Sequence, residues 1–146
     1  MADVATELGI STSGINLNQS NVRTLAGVPS GAITLNNLRG KSTLAAYINE
    51  ASFSGSALDY GSGATAETNL ATLTVTGGGS GAITYQWYLT GTAGLTTPTS
   101  STTKMSISGN AGASASGTVW CVVTREGVSV TTATKAYDLT IDAGGP

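Results

Sequence analysis

The sequence predicts a mainly β chain: an antiparallel β-sandwich preceded by a small N-terminal module with short helical turns. Three observations carry this. Apolar residues recur with period two from about Leu58 to Ile141, as they do on half-buried strands. Clusters of Gly, Ser and Asn separate these runs at spacings of roughly 8–15 residues, as in sandwiches. Charged residues make up only 10 % of the 146, against about 25 % in an ordinary soluble domain, while Thr, Ser, Gly and Ala fill the gap.

Taken in order, residues 1–47 form the first module. "SGINLNQSNVRTLAG" (13–27) and "SGAITLNNLRGKS" (30–42) read as a degenerate repeat: Ser-Gly, an Ile-x-Leu-Asn element, then a short helical turn ending in Gly. Asn18 or Ser20 caps the first turn and Gly27 ends it; Thr34 caps the second and Gly40 ends it. Val22 and Leu25, three apart, share a face, as do Leu35 and Leu38. Pro29 stiffens the bend between them. Helices this short are marginal alone in water, so the module must dock on the sandwich or on a partner.

Residues 48–142 form the sandwich, and 143–146 a tail. "ATLTVT" sets Ala71, Leu73 and Val75 on one face; "ITYQWYL" does the same with Ile83, Tyr85, Trp87 and Leu89. "KMSISG" contributes Met105 and Ile107. "VWCVV" places Val119, Cys121 and Val123 inward and Trp120 and Val122 outward. Val128 and Val130, then Tyr137, Leu139 and Ile141, complete the set. Trp87 and Cys121 read as core. Trp120 is either exposed, joining the Tyr85 face or a neighbouring subunit, or covered by a loop. The Gly-rich "TGGGSG" reads as a hairpin.

Charge and composition exclude several chemistries. The net charge is −2. Arg23, Arg39 and Lys41 against Asp3 and Glu7 leave residues 1–47 at +1, and the rest at −3. Neither part has the basic stripe that a phosphate backbone requires. There is no His and a single Cys. That removes intramolecular disulfides and His-based zinc, nucleophile or acid–base sites. No pair of carboxylates stands out for glycoside hydrolysis. We therefore expect no enzyme, no metal and no cofactor. No apolar run approaches a membrane span, and "MADVATELGI" lacks the pattern of a signal peptide, so a cytoplasmic site of folding is expected.

"NVRTLAGVPSGAITLNNLRGKS" (21–42) allows three readings. A helix-turn-helix reader needs a longer recognition helix than "LNNLRGK" supplies. A phosphate loop needs Gly five places before Gly40, where Leu35 stands. A structural plug, its small apolar set completed by a neighbour, fits best.

"YQWY" and "VWCVV" resemble an immunoglobulin-like domain, in which a Trp on the third strand packs near a Cys on the sixth. Trp87 and Cys121 fill those positions. The second-strand Cys is replaced by an apolar residue, Leu73 or Val75, and the Tyr two places before the Cys is Val119. The N-terminal stretch resembles a short motif that recurs in structural proteins of tailed bacteriophages. Ile15, Leu17, Arg23, Thr24, Gly27, Ile33, Leu35, Leu38 and Gly40 fill its places, with Leu38 and Arg39 where aromatics are commoner. The two resemblances together imply a non-enzymatic virion protein, a capsid decoration or tail accessory, anchored by its N-terminal module. The anchor residues expected are Val22, Leu25, Ile33, Leu35 and Leu38, with Arg23 and Arg39 bonding across the interface and Trp120 as a second contact. The partners expected are other virion proteins and sister copies. An adhesin module binding a carbohydrate or cell surface is the alternative, and the charge argues against nucleic acid.

Overall fold

The computed structural model describes residue 18, residues 20–33, residue 37 and residues 43–145. The chain is mainly β. Its elements are helix α1 (Ser20–Ala26), then β1 (Ala45–Ile48), β2 (Ser52–Asp59), β3 (Ala64–Glu67), β4 (Ala71–Thr76), β5 (Ile83–Leu89) and β6 (Gly94–Leu95). β7 (Thr102–Thr103), β8 (Met105–Gly109), β9 (Ser114–Arg125), β10 (Val128–Thr131) and β11 (Lys135–Ala143) follow. They gather into two compact units.

The larger unit holds 46–74, 84–123 and 131–146. One of its sheets runs β9-β11-β2, with β5 on the other side of β9. A second set of strands runs β1-β4-β7 and β3-β8-β6. Between β3 and β4, Thr68 exchanges bonds with Met105: its N–H donates to the Met105 carbonyl (3.0 Å), and its Oγ1 accepts from the Met105 N–H (3.1 Å).

The core is built by the alternation read from the sequence. Val119, Cys121 and Val123 of β9 are buried, as are Tyr137, Leu139 and Ile141 of β11. Trp87 and Met105 join them, with Phe53 of β2 and Ala66 of β3. One pairing departs from the antiparallel expectation. β2 runs parallel to β11 over eight residues, from Ser52 against Ala136 to Asp59 against Ala143. The two strands are far apart in sequence, so no hairpin fixes their relative direction.

β2 approaches β3 closely at Gly55. A Cβ there would overlap the Glu67 carbonyl and lie 2.9 Å from Leu139 Cδ2. A side chain at this position would separate the two strands, so only glycine fits.

The smaller unit holds the described residues of Met1–Ala45 with Val75–Ile83 and Thr124–Val130. α1 buries Val22 and Ala26, four apart on one face. It ends as the Gly27 signal predicts. Gly27 has φ +69°, its N–H reaches the Thr24 carbonyl (3.1 Å), and the Val28 N–H reaches that of Arg23 (3.1 Å). This is the paired bonding of a Schellman cap. The β9–β10 turn puts Glu126 at φ 50° and Gly127 at φ 79°, the two left-handed residues of a type I′ hairpin.

Candidate interaction sites

Two places bring together side chains that the sequence singled out. The first surrounds the end of α1. Arg23 bends its guanidinium over the helix terminus. Nη1 donates to the Val28 carbonyl (3.2 Å), and Nη2 donates to Asn18 Oδ1 (2.7 Å) and to the Gly31 carbonyl (3.1 Å). The Thr24 hydroxyl donates to the Ser20 carbonyl (2.9 Å). These bonds tie α1 to the segment beyond it, and they use N–H groups that an interface role would need. Val22 is fully buried within the chain, so its apolar surface is already covered. Ile33 is half-buried and lies in irregular structure. Leu25 lies within α1; its side chain, and all of Leu35, Leu38 and Arg39, lie outside the described residues.

Beside α1 the β9–β10 turn clasps the glycine loop between β4 and β5. Arg125 Nη1 donates to the Gly77 carbonyl (2.7 Å) and Nε to that of Gly81 (2.9 Å). Glu126 Oε1 accepts from the Ser80 and Gly81 N–H groups (3.2 and 2.9 Å). Gly77, Gly78 and Gly79 all have positive φ, and a Cβ at Gly79 would lie 2.6 Å from Glu126 Oε2. The Gly run therefore follows a path that only glycine takes easily, and the adjacent carboxylate serves the Ser80 and Gly81 N–H groups that follow it. A cavity of about 660 Å³ opens between α1 and this turn, lined by Arg23, Thr24, Val28, Pro29, Glu126 and Val128 among others. Arg23 and Glu126 face it with side chains already bonded to backbone or side-chain groups. This arrangement matches neither a phosphate loop nor a carboxylate pair.

The second place is the outer face of β5 and β9. Trp120 is half-buried and stacks on Tyr88, with ring centroids 5.7 Å apart and planes 16° from parallel. Tyr88 remains 44 % exposed. Trp120 thus pairs with the Tyr88 face of β5, the face opposite Tyr85 and Trp87. Next to the aromatic pair, the Thr90 and Thr118 hydroxyls lie 3.2 Å apart. Cross-strand aromatic pairs of this kind stabilise a sheet, and this one leaves ring surface in water.

The inner face of the same strands offers no comparable chemistry. Trp87 is buried, and its Nε1 donates to the Ser100 carbonyl (2.8 Å). Cys121 is buried, and burial pushes its thiol up to about 11. It is a protonated packing residue, not a nucleophile. Among the described residues, no three of His, Cys, Asp and Glu gather closely enough to hold a metal, and no helix is long and apolar enough to cross a membrane.

Sequence reasoning passed over Asp59, at the end of β2. Its Oδ1 accepts from the Gly61 and Gly63 N–H groups (both 2.9 Å) and its Oδ2 from that of Ala111 (3.0 Å). These bonds, Ala111's first, hold its carboxyl below the usual range. "DYGSG" carried the signal, an Asp followed by turn glycines. Asp59 works as a structural clasp between two loops.

No protein-family model matches the chain, and no curated protein matches it significantly.

Proposed function

We propose that this chain is a non-enzymatic structural protein of a tailed-phage virion, a capsid decoration or tail accessory. In this reading the N-terminal module, with its helical turns, attaches it, and an immunoglobulin-like domain is presented or fills a gap. The observation that supports the immunoglobulin-like part of the reading is the strand order of the larger unit. Take β1 as strand A, β3 with β4 as B, β5 as C and β6 as D. Take β7 with β8 as E, β9 as F and β11 as G. Taken together, the sheets β1-β4-β7 and β3-β8-β6 suit an A-B-E-D order and β5-β9-β11 suits C-F-G, with β2 added parallel to β11 beyond G; this supports an immunoglobulin-like sandwich. Trp87 on β5 and Cys121 on β9 lie on strands that pair, which supports this reading. That fold hosts many functions. The phage assignment rests on the motif in residues 15–40, and the low charge fits a protein whose faces are covered in an assembly.

Because Val22 and Arg23 are engaged within the chain, attachment falls to Leu25, Ile33, Leu35, Leu38 and Arg39, with Trp120 as a second contact. The test is immunogold labelling and sedimentation of particles from a lysate of the phage that encodes the chain. Protein that bands with particles, and is lost from them on Leu38→Asp, supports the reading. Protein that stays wholly in the soluble fraction overturns it.

The Tyr88–Trp120 pair favours one second reading, a carbohydrate-binding module. Exposed aromatic faces beside threonine hydroxyls suit a sugar ring, which offers both C–H and O–H groups. Saccharide-induced NMR shifts at Tyr88 and Trp120, absent in Tyr88→Ala, would establish it.

A further inference from the structure

Among the described residues, strand β2 has an unguarded edge. Its hydrogen-bonding phase is fixed by the Gly144 N–H, which donates to the Asp59 carbonyl (2.6 Å), in the register that sets Asp59 against Ala143. In a parallel ladder, alternate residues of a strand bond to a given neighbour. Phe53, Gly55, Ala57 and Asp59 therefore turn their N–H and C=O groups toward β11. Ser52, Ser54, Ser56 and Leu58 turn theirs the other way, and among the described residues no strand lies there.

Natural sheets protect such edges with Lys, Pro, bulges or short strands. β2 is eight residues long, and "SFSGSAL" contains neither charge nor proline. Its one charge, Asp59, is held by three backbone N–H groups. At its end stand two exposed apolar side chains, Leu58 at 52 % and Tyr60 at 72 %.

We propose that this edge joins two copies of the chain, β2 pairing antiparallel with β2 of the second copy. An identical strand is its own antiparallel partner about a two-fold axis. The phase above then demands an even-numbered residue opposite an even-numbered one. The fullest overlap sets Ser54 opposite Ser56 and Ser52 opposite Leu58, so all four unpaired residues are used. No like charges meet, since every paired side chain is neutral. Leu58 and Tyr60 of each copy gain cover from the start of the other copy's strand. Among the described residues each β2 has one free edge, so pairing through it closes at two copies instead of growing into a fibre.

The inference stands apart from the virion reading, because pure protein in solution tests it. Sedimentation equilibrium of the full chain over a range of concentrations should give a reversible monomer–dimer equilibrium. Ser54→Lys with Ser56→Lys sets lysines opposite lysines across the pairing, and it should weaken dimerisation at least ~10-fold. Ser54→Glu with Ser56→Glu should do the same, and mixing the two double variants should restore a heterodimer. These side chains lie on the solvent face, so circular dichroism should be unchanged. Hydrogen exchange on the wild type gives an independent measure: amides of Ser54, Ser56 and Leu58 should gain protection as concentration rises. A chain that stays monomeric at its highest soluble concentration overturns the proposal. So does a dimer indifferent to both charge pairs, or one whose β2 amides exchange at the monomer's rate.

Discussion

Asp59 and Cys121 are ionisable groups that the fold treats in opposite ways, and each leaves a mark on the pH dependence of stability. Asp59 is held as a carboxylate by backbone N–H groups, so its folded pKa lies below that of an ordinary aspartate. A depressed acid stabilises the folded state above its unfolded pKa, and that contribution is lost as pH falls through the folded value. Asp59→Asn should therefore lower Tm at neutral pH and flatten the acid limb of a Tm-versus-pH curve. A parallel acid limb in the variant would refute the role. Cys121 is the reverse case. Its thiol is raised from 9.0 to about 11 by burial, so the folded state holds a proton that the unfolded chain gives up. Its stabilising contribution is complete below pH about 9 and declines as pH rises toward 11. Cys121→Ala lacks this term, so its Tm should fall less steeply than the wild type's over that window. The native thiol should also react with a disulfide reagent only as fast as the protein opens.

Among the elements, β2 shows how close packing constrains sequence. Gly55 sits where β2 meets the Glu67 backbone and Leu139. Gly55→Ala should force the strands apart and cost about 1–3 kcal/mol, as overpacking does, measured by denaturant unfolding. A neutral result would mean that β2 and β3 separate freely. β2 was also the least legible element. β4, β5, β8, β9 and β11 are legible because at least two bulky apolar residues stand two or four apart on one face of each, such as Leu73 and Val75, Val119 and Val123, or Leu139 and Ile141. In β2 the inward positions are Phe53, Gly55, Ala57 and Asp59, of which two are too small and one too polar to register as a core stripe. β1 is only four residues long. The parallel direction of β2 was equally hidden, since side chains alternate with period two whichever way the neighbour runs. At the candidate sites, alternation correctly set Trp120 on the face opposite Cys121. It could not name Tyr88 as the ring beside it, because cross-strand register is a tertiary fact. The sequence offers Arg23 as a charge for a partner. The Gly27 stop and the carbonyls left over at a helix end were the signal that it could be used within the chain.

For the molecule as a whole, the decisive quantity is its scarcity of charge. Lys and Arg number six in 146 residues. Arg23 and Arg125 spend theirs on carbonyls, and Lys104 pairs with Glu67 at 2.8 Å. That exposed pair contributes about 1 kcal/mol or less, so Tm should change little as ionic strength rises. The same count bears on nucleic acid. Affinity for a phosphate backbone comes from counterions released by arrayed cations, and a chain making several phosphate contacts loses affinity steeply with salt. With half of its cations committed internally and a net charge of −2, this chain should not retard double- or single-stranded DNA in a mobility-shift assay at physiological salt. A retarded complex whose affinity falls by orders of magnitude between low and physiological salt would show that Arg39, Lys41 and the remaining cations converge on one surface. It would move the function of residues 21–42 from attachment to nucleic-acid binding.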